Sequence, residues 1–177
     1  MKIDLARIYL RPLHDADCTE QYVGWLNDPQ VNHFLEVRHT TQTLESVRAF
    51  VRNARQRDEF HFGIFDRTGN KHVGNIKVGP IFRQHSVGDV SLFIGERSYW
   101  GRGLAAEAIS GVSRYSFQAL DVQKLSASMY VSNEASRRAF LKCGYREEGL
   151  RRAHYLLDGN REDILELGLL PRDMSEL

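Results

Sequence analysis

A change of hydrophobic spacing near residue 60 constrains the fold of this chain more than any other feature. Upstream of it, two segments carry apolar residues at helical intervals, residues 15–27 and 43–57. From there on, apolar Phe60, Phe62 and Ile64 alternate with small or polar residues, which is typical of a half-buried strand. Helices followed by a run of alternating strands do not fit a regular βα repeat, so the spacing favours a mixed sheet.

The whole pattern predicts the order β-α-α-β-β-β-α-β-α-β-β in a single domain of residues 1–177. Helices are predicted at residues 15–27, 43–57, 104–120 and 134–142, and Gly144 ends the last one as a C-cap. Strands are predicted at residues 7–13, 60–64, 72–78, 87–94, 125–131, 145–150 and 164–170. Antiparallel hairpins precede one βαβ unit, so we expect a mixed α/β fold and not a doubly wound one.

The charge balance and the cysteines exclude several classes of function. The formal net charge is +1, so no strong overall field attracts nucleic acid or a membrane. The two cysteines, Cys18 and Cys143, have neither zinc-ligand nor disulfide-framework spacing, so we expect no metal and a reducing, cytoplasmic location. Cys143 lies at helical spacing from Ala135 and Ala139, which predicts a core residue and not a nucleophile. We also expect no secretory leader and no membrane span.

The segment that carries chemistry is SYWGRGLAAEA, residues 98–108, between a predicted strand and an amphipathic helix. Gly101 and Gly103 let the backbone turn and approach a ligand closely. The first helical N–H groups and the helix dipole attract an anion such as a pyrophosphate, and Arg97 and Arg102 add charge at the rim. A plain glycine-rich helix entry has the same residues, so this segment alone leaves both interpretations open.

A dinucleotide-binding fingerprint is a rival interpretation, because GRGLAA matches G-x-G-x-x-[GA] and Asp121 follows about 20 residues later. Three features disfavour it. Residues 95–100 separate the strand from the glycines, whereas the fingerprint occupies a tight turn. Asp121 precedes the next strand instead of ending it. The upstream hairpins and the short downstream chain do not supply a doubly wound sheet.

Six segments in four regions of the chain together carry a family resemblance. The first is YWGRGLAAEA at residues 99–108, and the second is NEASRRAFLKCGY at residues 133–145. LRPLHDAD and WLNDPQV lie near the start, and EGLR and GNRED lie near the end. Taken in their order along the chain, these segments resemble the GNAT acetyltransferases, in particular the RimJ/RimL-type branch. The acetyl-CoA motif of that family, [QR]-x-x-G-x-[GA], is matched at Gly103 and Ala105, while Trp100 stands where Gln or Arg is usual.

The resemblance implies a GNAT-like fold, with a mostly antiparallel central sheet of six to seven strands flanked by about four helices. A parallel pair, residues 87–94 and 125–131, is expected to splay apart and admit the pantetheine arm of acetyl-CoA. Asn133 is expected to contact that arm, and Arg138, with Arg137, to face the 3′-phosphate unless both are solvated. The remaining cofactor contacts are implied at Phe93, Ile94, Trp100, Gly101, Arg102, Gly103, Leu104 and Ala105.

The implied reaction is direct acetyl transfer to a primary amine, either a protein N-terminus, an amino sugar nucleotide or a small amine. Many family members protonate the departing thiolate with a Tyr. In this chain Phe140 stands at that position, and its ring has no hydroxyl to donate a proton. Ser136 is therefore the candidate acid, directly or through water, with helix capping as its alternative role. Glu96 is the candidate base, and Glu148 and His154 are the alternatives.

Three further expectations concern the acceptor pocket, the function and the partners. The WLNDP segment and the second helix are expected to wall the acceptor pocket. Phe140 also keeps open a different class of function, a non-catalytic acyl-CoA sensor on the same fold. Dimers are frequent in this branch, so a homodimer is a further expectation.

Overall fold

The strands of the described chain join in one eight-stranded sheet. The computed structural model describes residues 1–174, apart from the side chain of residue 55. The strands are β1 (Ile3–Asp4), β2 (Ile8–Pro12), β3 (Phe60–Asp66), β4 (His72–Phe82), β5 (Val87–Ile94), β6 (Lys124–Tyr130), β7 (Arg146–Leu157) and β8 (Asn160–Leu169). Their order is β1-β2-β3-β4-β5-β6-β8-β7, and β5 and β6 are the parallel pair in a sheet whose other neighbours are antiparallel.

Helices cover both faces of this sheet. They are α1 (Glu20–Asn27), α2 (Pro29–Asn32), α3 (Leu44–Arg52), α4 (Leu104–Ala119) and α5 (Glu134–Lys142). Residues of α4 and α5 such as Ile109 and Phe140 belong to the larger core, with Leu92 and Ile94 packed against it. Phe93 packs instead with the cluster of α1 and α3. Since successive strand residues point to opposite faces, the two helix groups lie on opposite sides.

The parallel pair separates along its length. Its register begins at Val87 opposite Lys124 and ends at Asp89 opposite Ser126. Beyond that point each strand keeps its outer neighbour, because β5 still pairs with β4 as far as Ile94 and β6 pairs with β8 as far as Tyr130. A gap therefore opens between the second halves of β5 and β6, and the backbone groups that line it are available to a ligand.

Several elements differ from the predicted ones in extent or number. The described chain has eight strands and five α-helices instead of six to seven and about four. The two-residue β1 is too short to produce a periodic pattern. The first predicted helix begins only at Glu20, because Thr19 accepts a hydrogen bond from the Tyr22 N–H and acts as its N-cap. Asp28 and Pro29, predicted as a boundary, do end α1, but they also start α2.

The ends of the chain bear on two further points. β7 continues to Leu157, well past the predicted end, and most of its residues are exposed, so no apolar alternation marked it. No helix within residues 1–174 has the length and apolarity needed to cross a bilayer. The predicted domain of residues 1–177 includes three terminal residues that lie outside the described part.

Candidate active site

The loop before α4 has the backbone conformation that its glycines were predicted to allow. Gly101 has a φ of +71° and Gly103 a φ of +75°, in the left-handed region that residues with a Cβ rarely adopt. Gly103 is also the N-cap of α4, so the helix begins directly behind the loop. The first N–H groups of α4 have no intrahelical acceptor and point towards the loop, which makes this end an anion site.

Side chains from distant segments hold this loop in place. Arg7 donates from Nη1 to the Arg102 carbonyl at 2.6 Å and from Nε to Glu107 Oε2 at 2.8 Å. The indole Nε1 of Trp100 donates to the Ile94 carbonyl at 2.7 Å, which ties the loop to the end of β5. Trp100 therefore has a structural role that its place in the motif did not predict.

A cavity of about 530 Å³ joins the loop to the gap between the strands. Most of the residues predicted to form the site line this one cavity. They are Phe93, Ile94, Trp100, Gly101, Gly103, Leu104, Ala105, Asn133, Ser136 and Arg138. Its volume is within the range of small-molecule and cofactor sites.

Two predicted site residues do not line this cavity. The guanidinium of Arg102 lies over the ring of Tyr99, 5.2 Å from its centroid. Glu96 pairs with Lys71, whose Nζ is 2.6 Å from its Oε2, and this ammonium holds the pKa of Glu96 below its usual range. The alternative bases are also engaged elsewhere, since Glu148 pairs with Lys124 and His154 lies against Arg151.

The short helix α5 supplies the other wall of the cavity. Asn133 is its N-cap, and the side-chain oxygen accepts a hydrogen bond from the Ser136 N–H at 3.2 Å. Asn133 is thus the residue that caps α5, and Ser136 lines the cavity. Phe140 lies in the core, 2% exposed and edge-on to Tyr145.

The sequence reasoning missed one cation of this wall. Lys142 lines the cavity together with Arg138, whereas Arg137 forms ion pairs with Glu134 and Glu147. Arg138 and Lys142 are four positions apart on a helix, which places both on one face. That spacing was the sequence signal by which Lys142 could have been predicted as a second cation of the site.

A second cavity of about 550 Å³ lies on the α1–α3 side of the sheet. It meets the first cavity at four residues that line both, namely Phe34, Leu35, Leu92 and Phe93. Leu26 of the WLNDP segment and Val47 and Phe50 of α3 line this cavity, and these are the two segments predicted to wall an acceptor pocket. The rest of the described wall comes from β3, β4 and β5, from the segment 34–37, and from single residues, namely Leu13, Tyr22, Gln42 and Ser46.

Asp89 is a half-buried carboxylate in this second cavity, and the sequence reasoning did not single it out. Its Oδ1 lies 3.2 Å from the Ser126 hydroxyl, at the point where β5 and β6 begin to separate. Burial raises the pKa of Asp89 to about 6, because the charged form loses solvation, although Lys77 partly opposes the shift. A carboxylate with this pKa accepts a proton near neutral pH.

This arrangement defines a class of protein. A glycine loop at a helix start lines one cavity, a strand gap leads out of it, and a second cavity meets it from the opposite side. This geometry suits an anionic ligand in the first cavity and a second ligand beside it. The family model described as an acetyltransferase (GNAT) domain matches residues 7–146. The chain belongs to the GNAT acetyltransferase family and is an acyltransferase.

Individual relatives agree with this assignment. The N-acetyltransferase YoaA of Bacillus subtilis is 26% identical over 163 residues, which cover 91% of this chain and 92% of YoaA. The spermidine N-acetyltransferase of Vibrio cholerae, solved with CoA and spermine, has a TM-score of 0.84 at 19% identity and covers 94% and 97% of the two chains.

RimL, a ribosomal L7/L12 alpha-N-protein acetyltransferase solved with coenzyme A, has a TM-score of 0.86 at 15% identity, covering 96% and 98%. At these identities the two solved structures establish the shared fold. The predicted mixed α/β GNAT-like fold and the resemblance to RimJ/RimL-type enzymes are confirmed.

Proposed function

We propose that this chain transfers the acetyl group of acetyl-CoA directly to a primary amine. The observation that carries the proposal is the meeting of the two cavities at Leu92 and Phe93, beside the gap between β5 and β6. A thioester in the first cavity and an amine in the second would come into contact there. Proximity of this kind supplies much of the catalysis of a transfer reaction.

Acetyl-CoA occupies the first cavity in this proposal. Its pyrophosphate lies on the N–H groups of Gly103, Leu104 and Ala105, at the positive end of α4. Its pantetheine arm follows the strand gap beside Phe93 and Ile94. The backbone of Ile94 faces this gap, whereas that of Phe93 pairs with Asn75 of β4. Trp100, Gly101, Arg102 and Asn133 complete the expected contacts. Arg138 and Lys142 supply positive charge for the 3′-phosphate.

The amine enters through the second cavity and loses its ammonium proton to Asp89. The free nitrogen then attacks the thioester carbonyl, and the carbon–sulfur bond breaks. The Ile94 N–H, which faces the strand gap, stabilises the negative charge on the carbonyl oxygen. Ser136 passes the proton that the nitrogen loses to the departing sulfur. Asp89 afterwards releases its proton to solvent, so the protons balance.

Glu96 remains the sequence-based alternative for the base. Its ion pair with Lys71 favours the charged form, which makes it a weak proton acceptor. Asp89 has the opposite property, since burial disfavours its charge, and it lines the cavity that we assign to the amine. Separate variants of the two carboxylates decide between them.

Incubation of the protein with acetyl-CoA and a panel of amines tests the proposal, with release of the CoA thiol as the readout. We expect turnover that requires both substrates. Tight acetyl-CoA binding without acetylation of any amine would favour the sensor function instead. Stronger binding of NAD than of acetyl-CoA would contradict the assignment of the loop.

We retain two expectations as proposals. A cytoplasmic location is supported by Cys18 and Cys143, which are both buried free thiols. A homodimer is supported by the exposed edge strand β7, which has an unpaired side available to a second copy.

A further inference from the structure

The acceptor cavity contains few uncommitted negative charges. Among the described residues that line it, the carboxylates are Asp89 and Glu36. Glu36 is already engaged, because its Oε1 lies 3.2 Å from Arg38 Nη1 and accepts a hydrogen bond from the Tyr130 hydroxyl at 2.7 Å. Asp89 is thus the carboxylate available to a positively charged amine.

Positive charge also faces the same cavity, and it lies close enough to Asp89 to oppose part of the rise in the pKa of that carboxyl. Lys77 lines the cavity, and its Nζ lies 3.2 Å from Glu59 Oε1. Glu59 also pairs with Arg57 at 2.9 Å, so one carboxylate balances two cations. His61 accompanies this cluster, and burial lowers its pKa, which keeps the ring neutral at pH 7.

The remaining wall is mainly apolar. Tyr22, Phe34, Phe50 and Phe93 present aromatic rings, and aliphatic side chains of α1, α3 and β4 lie between them. A charged group placed against such a wall loses solvation without gaining a partner. An apolar or aromatic group placed there gains free energy from burial.

We propose that the acceptor is a primary amine with a single positive charge on an apolar or aromatic body, and not a polyamine. The inference rests on the proposed acetyl transfer. The reacting ammonium is placed at Asp89, and the body of the molecule fills the aromatic part of the cavity. A second ammonium, as in spermidine, would meet either the apolar wall or the positive charge near Lys77.

Two sources share this chemistry, a small monoamine and a peptide whose first residue is apolar. The experiment compares kcat/KM at saturating acetyl-CoA for 2-phenylethylamine, for a hexapeptide amide beginning with Phe and with no basic side chain, and for spermidine. We expect at least one of the first two to exceed spermidine by about tenfold or more, because the second charge of spermidine is unpaired. The higher kcat/KM of the two, for 2-phenylethylamine or for the peptide, shows whether the acceptor is a small monoamine or a peptide N-terminus.

Two variants test charge as the cause. Lys77→Gln removes a repelling cation, and Phe50→Glu adds a carboxylate at a wall residue that is 44% exposed and so tolerates the change. Each is expected to raise the ratio of spermidine to 2-phenylethylamine activity by about two- to fivefold, as for a partly solvated charge pair. Lys2→Gln is the control, because Lys2 pairs with Asp4 away from both cavities, and it should leave the ratio unchanged.

The outcomes separate the inference from the function on which it rests. A higher kcat/KM for spermidine than for both monoamine substrates overturns the inference and leaves acetyl transfer established. An unchanged ratio in both Lys77→Gln and Phe50→Glu also overturns it, because charge would then not select the acceptor. Absence of acetylation with all three amines, despite acetyl-CoA binding, overturns the proposed function and the inference together.

Discussion

The two cavities that meet at β5 are built in different ways. The cofactor side uses mainly backbone, in the loop of Gly101 and Gly103, the start of α4 and the strand gap. The acceptor side uses side chains from α1, α3, β3, β4 and β5. In the proposed function, backbone geometry would serve one unchanging cofactor, whereas a wall of separate side chains would let the acceptor change by substitution. The comparison predicts that variants on the two sides fail in different measurements.

The largest effect is expected on the acceptor side, from Asp89→Asn. An amide does not accept the proton of the amine, so kcat/KM for the amine should fall by about 10²–10⁴-fold, while acetyl-CoA affinity is retained. The pKa of Asp89 is raised to about 6, and the reactive form is the deprotonated one. Activity of the unsubstituted protein should therefore fall as pH decreases through about 6, and Asp89→Asn should lack this limb.

Glu96→Gln is the matched control for that variant. Its carboxylate pairs with Lys71 outside both cavities, so the rate and the pH profile should change little. Loss of the acidic limb in Glu96→Gln, with the limb intact in Asp89→Asn, would restore Glu96 as the base. Initial rates between pH 5 and pH 9 measure both.

On the cofactor side, Gly103→Val should weaken acetyl-CoA binding by about 100-fold or more, because a branched side chain at φ +75° strains the loop and crowds the anion site. Gly159→Val is the control. Gly159 has a φ of +81° in the turn between β7 and β8. A Cβ added there would meet nothing within 4 Å, and one added at Gly103 would meet Arg7 Nη2 at 3.6 Å, an ordinary contact distance. Both variants should lose similar thermal stability, but only Gly103→Val should lose affinity by calorimetric titration. Equal acetyl-CoA affinities of Gly103→Val and Gly159→Val would argue against the assignment of the loop as the pyrophosphate site.

Ser136→Ala should lower kcat by about tenfold to a hundredfold with little change in acetyl-CoA affinity, since a CoA thiolate leaves fairly well unprotonated. Thermal stability should not change, because Asn133 and not Ser136 caps α5. Steady-state kinetics at saturating acetyl-CoA provide the test. An unaltered kcat would mean that the thiolate leaves unassisted or takes its proton from water.

The smallest effect belongs to the cap itself. Asn133→Ala removes the acceptor of the Ser136 N–H and should cost about 1 kcal/mol of stability. Because α5 also carries Ser136 and Arg138, a small loss of acetyl-CoA affinity should accompany it. Asn133→Asp preserves the cap and should therefore keep the stability of the unsubstituted protein. Chemical denaturation measures the free energy of unfolding of both variants. Equal free energies of unfolding for Asn133→Ala and Asn133→Asp would show that the cap contributes little to stability.

These contrasts parallel what the sequence revealed. Most residues of the cavity assigned to the cofactor lie in two continuous stretches, 93–105 and 133–142. Glycine spacing and helix starts can be recognised there from the sequence. Asp89 looked like one more strand residue, because its burial depends on the packing of α1–α3 against the sheet. The ion pair of Glu96 with Lys71 joins segments that only the folded chain brings together. The fold was more predictable, except for short or exposed elements such as β1 and the end of β7.

The central claim is that both substrates are bound at once, with the amine attacking the thioester directly. The described chain offers little for a covalent alternative, since Cys143 is 1% exposed and burial raises the pKa of its thiol to about 12. Initial rates measured over a grid of acetyl-CoA and amine concentrations test the claim most directly. We expect intersecting lines in double-reciprocal plots. Parallel lines, the signature of an acetyl-enzyme intermediate, would contradict it.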